Sequence, residues 1–185
     1  MSLERSLIEH CSPTLASLKA GSLFCFPAPA DRGLRTQIAS INGELRQKGL
    51  VLIPVKPQGD RTLCYLCRLS QLGSMLASPQ NRDFLRSRGY NPSCARSALA
   101  TLCRRLREGG TFPHEIGLFL GYPLGDVIGF IENGGKNCLC CGCWKAYTDA
   151  CAAKRLFARY DKCTCVYRRL YHCGARTLSQ LTVAA

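Results

Sequence analysis

The chain has 185 residues, 46% hydrophobic and 20% charged, which fits one domain or two small ones and excludes wholesale disorder, collagen and coiled coil. Twenty-five Lys and Arg stand against 12 Asp and Glu, a net charge of +13, and this favours an anionic ligand, an acidic protein or nucleic acid as partner. Fourteen cysteines are present, although a chain that hides roughly 70% of its unfolded surface needs no disulfide scaffold.

The N-terminal stretch Met1 to His10 carries Glu4, Arg5 and Glu9 where a secretory signal would need an unbroken apolar run. No segment reaches the roughly 18 apolar residues of a membrane span; the nearest, Ile116 to Ile131, is interrupted by Pro123 and Asp126. These features predict a cytoplasmic protein with no membrane partner, whose thiols are mostly reduced.

In chain order, Ser22 to Pro27 is a short apolar run that predicts a strand. Leu34, Ile38, Ile41 and Leu45 recur at helical spacing and Gly49 follows, so about 30–48 reads as a helix. Leu50 to Val55 and Arg61 to Arg68 flank Pro57-Gln-Gly-Asp60, a hairpin signal that puts Pro54 at an edge or an irregularity. Helices are expected near 70–78, 80–88 and 94–108, the last burying Ala95, Leu99, Leu102 and Leu106 and ending at Gly109-Gly110. Pro113 to Leu120 and 124–132 read as two more helices, 138–147 as a strand or knuckle, and 149–172 as a long helix with Leu156, Tyr160, Cys163, Tyr167 and Leu170 on one stripe. The predicted fold is α+β, a single domain over 1–185. Its small, mainly antiparallel sheet uses the runs near 22–27, 50–56, 61–68 and 138–147, with helices covering one face.

Six of the cysteines read as small buried hydrophobes: Cys25, Cys64, Cys67, Cys94, Cys103 and Cys151, with the odd spacing of Cys64 and Cys67 sending them to opposite faces of a strand. Cys138, Cys140, Cys141 and Cys143 differ, because four thiols in six residues exceed any packing need. Cys140-Cys-Gly-Cys143 has the spacing of a metal knuckle, and no second closely spaced pair follows at the usual distance. Cys163 on the inward stripe offers a third ligand, with His10, Cys11 or Cys173 as fourth. The cofactors this would imply are zinc or an iron–sulfur centre.

The segment from Phe112 to Gly134 admits three readings. Ile116, Leu120, Val127 and Phe130 with Gly117 and Gly121 fit a helix-turn-helix over 113–132, which would make the chain a DNA-binding regulator. Its exposed recognition positions, however, are Pro123, Leu124, Gly125, Ile128 and Gly129, which carry no groups that read bases. Gly117, Gly121, Gly125 and Gly129 also recur every fourth residue and imply a close approach of another element or of a ligand. His114 and Glu115 in the first turn are the catalytic candidates: Glu115 suits the positive end of a helix, and a neutral His114 beside a thiol is what a Cys–His pair requires. Arg104, Arg105 and Arg107 near one helix end are the anion-site candidates among otherwise scattered arginines.

His10-Cys-Ser-Pro-Thr-Leu15, Phe112-Pro-His-Glu-Ile-Gly-Leu-Phe-Leu-Gly-Tyr-Pro123 with Gly129-Phe-Ile131, Gly142-Cys-Trp-Lys-Ala-Tyr147, Tyr160 and Cys163-Thr164 together carry a likeness across nearly the whole chain. In these motifs the chain resembles a bacterial family catalogued only as a domain of unknown function, common in anaerobes. Cys138 and Cys141 stand outside the resemblance, which implies Cys11, Cys140, Cys143 and Cys163, with His114, as the functional set. The function expected is a cysteine-based metal-binding or redox protein, with at least three of those four thiols converging. The alternatives are the DNA-binding regulator and an interaction domain whose cysteines only pack.

Overall fold

The computed structural model describes residues 2–108 and 110–184. Helix α1 (Leu3–Leu15) begins where the Ser2 hydroxyl accepts the Arg5 N–H, and strand β1 (Gly21–Phe26) follows. Asp31 caps α2 (Arg32–Gln47) by accepting from the Leu34 N–H, and Gly49 at φ +76° turns the chain into β2 (Leu50–Gln58). The hairpin expected around Pro57 to Asp60 is present and joins β2 to β3 (Arg61–Arg68). Next come α3 (Leu69–Ala77), α4 (Pro79–Ser87) and α5 (Ala95–Glu108). Gly109, expected to help stop α5, lies outside the described residues.

The three strands form an antiparallel sheet in the order β1-β3-β2, with Leu23 and Ile53 both opposite Tyr65. Central β3 is buried from Thr62 to Arg68, the mark of a strand covered on both sides. Phe24, Leu52, Cys64 and Leu66 face α1 and α2, while Tyr65 and Cys67 pack with Leu72 of α3 and Leu102 of α5. Cys64 and Cys67 therefore do point to opposite faces, and helices cover both faces of the sheet instead of one. Cys64, Cys67 and Cys103 are buried as expected, but Cys25, Cys94 and Cys151 are exposed.

The free edge of β2 is closed by side chains. The register shifts between Pro54 and Lys56, so the proline sits at a bulge where no ladder donor is needed. Buried Asn42 of α2 donates to the Leu52 carbonyl at 2.8 Å and accepts the Leu52 N–H at 2.8 Å, standing in for a fourth strand. Arg107 Nε donates to the Val55 carbonyl at 2.8 Å. Such cover blunts an edge that would otherwise template pairing with another chain. Replacing Asn42 by Leu strands two buried backbone groups and is expected to cost about 2–4 kcal/mol. Urea unfolding measures this, and an unchanged midpoint would show that the edge needs no cover.

The remaining elements are α6 (Ile116–Phe119), α7 (Leu124–Glu132), β4 (Cys140–Cys141), β5 (Lys145–Ala146), α8 (Ala150–His172) and α9 (Leu178–Leu181). The expected helix from Pro113 is a single turn. Residues 138–147 do not join the main sheet: Cys140 pairs with Ala146 and Cys141 with Lys145 in a separate two-stranded hairpin. Positive φ at Gly134, Gly135 and Asn137 turns the chain sharply just before it, which leaves a segment that folds back on itself. Helix α8 lies along α1, where Glu9 pairs with Arg168 at 2.6 Å and with His172 at 2.9 Å. No described helix is long and apolar enough to cross a membrane.

Candidate functional site

Asp126 in the first turn of α7 organises the site. Its buried carboxylate accepts from Trp144 Nε1 at 2.7 Å, the Tyr147 N–H at 2.8 Å, the Thr148 N–H at 2.9 Å and the Thr148 hydroxyl at 2.8 Å. Burial pushes this carboxyl up, but the bonds from Tyr147, Trp144 and Thr148 outweigh it and hold the group below the usual carboxylate range. One side chain thus staples α7 to the β4–β5 hairpin and its exit.

The four spaced glycines let these pieces meet. A Cβ on Gly117 would lie 2.7 Å from Val127 Cγ2, one on Gly125 would strike Thr148 and one on Gly129 would strike Tyr147, while Gly121 turns at φ +82° beside Ala20. Close packing within the chain therefore accounts for the spacing. The helix-turn-helix reading finds no support in these elements: α6 is one turn long in place of the first helix it expects, and Gly129 packs against Tyr147.

Between α6, α7 and the hairpin lies a cavity of about 320 Å³. Ile116, Leu120, Tyr122, Val127, Phe130 and Trp144 make its walls, and His114, Asp126, Cys141 and Lys145 are its polar lining. Trp144 stacks on Tyr122 at 4.9 Å between centroids and meets Phe157 edge-on at 4.5 Å, so its ring is fixed from two sides. Lys145 Nζ donates to the Gly135 carbonyl at 2.7 Å. Among the described residues, His114 and Cys141 are the polar lining groups without a hydrogen bond inside the protein. His114 is exposed and sits against Phe112 at 5.7 Å and Phe130 at 4.9 Å.

Glu115 faces the other way, into a second hollow of about 450 Å³ that it shares with His114, Arg88 and Arg105. It is buried, accepting from the Tyr90 hydroxyl at 2.9 Å and pairing with Arg105 at 2.8 Å. That network makes Glu115 an anchored counter-ion and, with Arg105 over the Tyr90 ring at 4.7 Å, fixes the root of the His114 turn. Of the other anion-site candidates, Arg104 pairs with Glu108 and Arg107 binds Val55. All three arginines are thus committed inside the protein.

The four metal candidates sit in different surroundings. Cys11 is fully buried in α1 against the sheet, and burial pushes its thiol far up. Cys140 is half-buried with its sulfur 3.8 Å from the Ala150 carbonyl. Cys143 is at the hairpin tip near Lys19, whose ammonium stands 5.2 Å from the Tyr122 centroid. Desolvation raises the Cys143 thiol despite Lys19, and raises Cys163 on α8 despite Arg159. Metal ligation needs thiolates gathered around one point. Among the described residues, no group of three or more His, Cys, Asp or Glu side chains is placed to hold a metal ion. The expected convergence, and with it a zinc or iron–sulfur centre on these residues, is therefore not formed in this arrangement.

Asp126, Trp144, Tyr122, Lys145 and Cys141 were not among the sequence candidates. The two motifs that hold most of them, 112–123 and 142–147, stood out in the chain, but nothing in their spacing showed that they close on one another. The family model described as "Protein of unknown function (DUF3793)" matches residues 7–182. No curated protein and no solved structure matches the chain.

Proposed function

Because the chain belongs to the DUF3793 family, whose description assigns no activity, we propose its function from the cavity: it binds a flat, mainly apolar small molecule and holds the His114 imidazole and the Cys141 thiol against it. The observation that carries this reading is the distribution of hydrogen bonds. Asp126 and Lys145 are spent inside the protein, leaving aromatic and aliphatic walls with two uncommitted polar groups. Pockets of this kind take their affinity from apolar contact and their orientation from a few polar groups. The function remains cysteine-based, but the working thiol is Cys141 in place of the four metal candidates, and His114 keeps the role of base or donor beside it. Glu115 acts by positioning His114. With fourteen free thiols, the reading places the protein in the reducing cytoplasm.

Trp144 is the sole tryptophan and forms part of the wall, so its emission reports occupancy. Titration with two-ring aromatic compounds, naphthoquinone and indole among them, is expected to quench Trp144 saturably. Leu120→Phe, which fills the cavity, should abolish the saturable phase. His114→Ala and Cys141→Ser should each weaken binding by about tenfold, the equivalent of 1.4 kcal/mol. Quenching that Leu120→Phe leaves intact would place the ligand elsewhere and defeat the reading.

A further inference from the structure

One helix carries a long row of uncommitted positive charge. Several arginines of other elements have partners within the chain: Arg86 with Asp83, Arg104 with Glu108, Arg105 with Glu115, and Arg68 and Arg107 with backbone carbonyls. Others, such as Arg32, Arg35, Arg46 and Arg96, are exposed without an ion pair among the described residues. Helix α8 differs in gathering five such cations on one face. Lys154, Arg155, Arg159, Lys162 and Arg169 are all exposed, and none forms an ion pair among the described residues. At about 100° per residue these five fall within one arc of roughly 140°, and from Lys154 to Arg169 the row runs about 22 Å. The inward side of the helix is occupied by Ala153, Phe157 and Tyr160 in the Trp144 cluster and by Tyr167 and Leu170 against α1 and the sheet. Asp161 is the one carboxylate within α8, and it lies at the border of the basic arc.

We infer that the outer face of α8 binds duplex DNA through its phosphates, without reading sequence. Charge complementarity selects a polyanion: about 22 Å of duplex presents roughly 13 phosphates, and five cations along one helix offset a row of them. The shape selects the duplex. A helix about 10–12 Å across fits a major groove about 12 Å wide, and cations spread over this arc can face both walls. A single strand would want aromatic platforms for its bases, yet every aromatic side chain in the middle of α8 (Phe157, Tyr160 and Tyr167) packs inward. An anionic membrane would want apolar residues between the cations, and Val166 is the one large hydrophobic side chain exposed on this helix. Between the cations stand Ala158, Cys165 and Val166, which carry no base-reading groups, so binding is indifferent to sequence.

The test is fluorescence anisotropy of the full chain on a duplex of about two helical turns between roughly 50 and 200 mM salt. If all five cations engage, log K should fall against log salt with a slope of about −4.5. The quadruple variant Arg155→Gln, Arg159→Gln, Lys162→Gln, Arg169→Gln should shed most of that slope and bind duplex at least about 100-fold more weakly. A matched variant removing four exposed arginines elsewhere, Arg32→Gln, Arg35→Gln, Arg46→Gln, Arg96→Gln, should bind as the wild type does. Circular dichroism of both variants shows whether the fold is kept, and a direct binding map by hydrogen exchange on the wild-type complex reads α8 independently of any variant. Equal losses in the two variants would assign binding to net charge alone. Tighter binding to vesicles rich in anionic lipid, equal binding to polyglutamate, or protection away from α8 would overturn the inference.

Discussion

Replacing Arg68 by leucine is expected to destabilise the protein by about 3–5 kcal/mol, because it removes a buried charge that other buried groups depend on. Arg68 ends β3 and is fully buried. Its Nε donates to the Thr14 carbonyl at 2.7 Å, and its Nη2 donates to the carbonyls of Leu15 at 2.6 Å and Val183 at 2.7 Å. No carboxylate pairs with it among the described residues. The guanidinium instead sits at the negative end of α1, where a cation adds to the N–H groups that reach the last carbonyls, Ser17 to Thr14 at 3.2 Å and Val183 to Leu15 at 3.0 Å. One planar group thus ties α1, the centre of the sheet and the segment after α9 together. Leucine would fill part of the space but take the charged donor from three carbonyls, leaving Thr14 with the Ser17 N–H and Leu15 with the Val183 N–H, and hydrogen bonds from a charged group contribute about 1.5–3 kcal/mol each before relaxation. Arg68→Lys keeps the charge without the fork and should fall between the two. Urea unfolding gives the loss, and amide exchange should show the segment around Val183 opening first. A wild-type midpoint in Arg68→Leu would show that the three carbonyls find other partners.

Arg68 also marks the boundary of what the amino-acid order makes legible. The run from Arg61 to Arg68 reads as a strand from its β-branched and aromatic content, and Arg68 looks like its polar end. Its burial follows only from the arrival of Leu15 and Val183, residues 53 and 115 positions away. Periodic elements were legible because their signals are local: the stripe from Leu34 to Leu45, the turn at Pro57 to Asp60 and the bulge at Pro54 each appear where expected. The placement of helices on both faces was not legible, because alternation along β3 is hidden when both faces are apolar. Leu63 to Cys67 offers no polar side to read.

The candidate site divides along the same line. His114 was legible, as a titratable residue beside glycines in a motif of unusual composition. Counting thiols pointed to Cys140 and Cys143, whereas the cavity takes Cys141 between them. In a two-residue strand, neighbours point to opposite sides, so a shift of one position decides which sulfur lines the cavity, and spacing alone does not carry that parity. The metal reading failed for a related reason. Cys11 and Cys163 look ligand-like on their stripes, but a stripe marks burial: Cys11 packs in the core of α1 and the sheet, and among the described residues no group of three or more ligating side chains gathers to hold an ion.

Asp126 was the least legible of all, a single acid in an apolar segment, and its replacement should have the second large effect. Asp126→Asn is expected to cost about 2–4 kcal/mol at pH 7. Asparagine can keep one oxygen toward Tyr147 and Thr148, but its amide would then point an N–H at the Trp144 N–H, which already donates to the second oxygen. The expected consequence is local as well as global: Trp144 leaves its place between Tyr122 and Phe157, its emission shifts to the red, and the cavity loses a wall. The pH dependence follows from the direction of the shift. The folded carboxyl titrates below its unfolded value of about 3.9, so the unfolded chain binds the proton first as pH falls. The stability supplied by Asp126 is therefore fully present above that value and is lost as pH drops through the folded value. Wild type and Asp126→Asn should differ by the full amount at pH 7, and the gap should narrow below about pH 4. Unfolding followed by Trp144 emission across that range reads both effects, and a gap that stays constant into acid would show that the charge on Asp126 does not hold the hairpin.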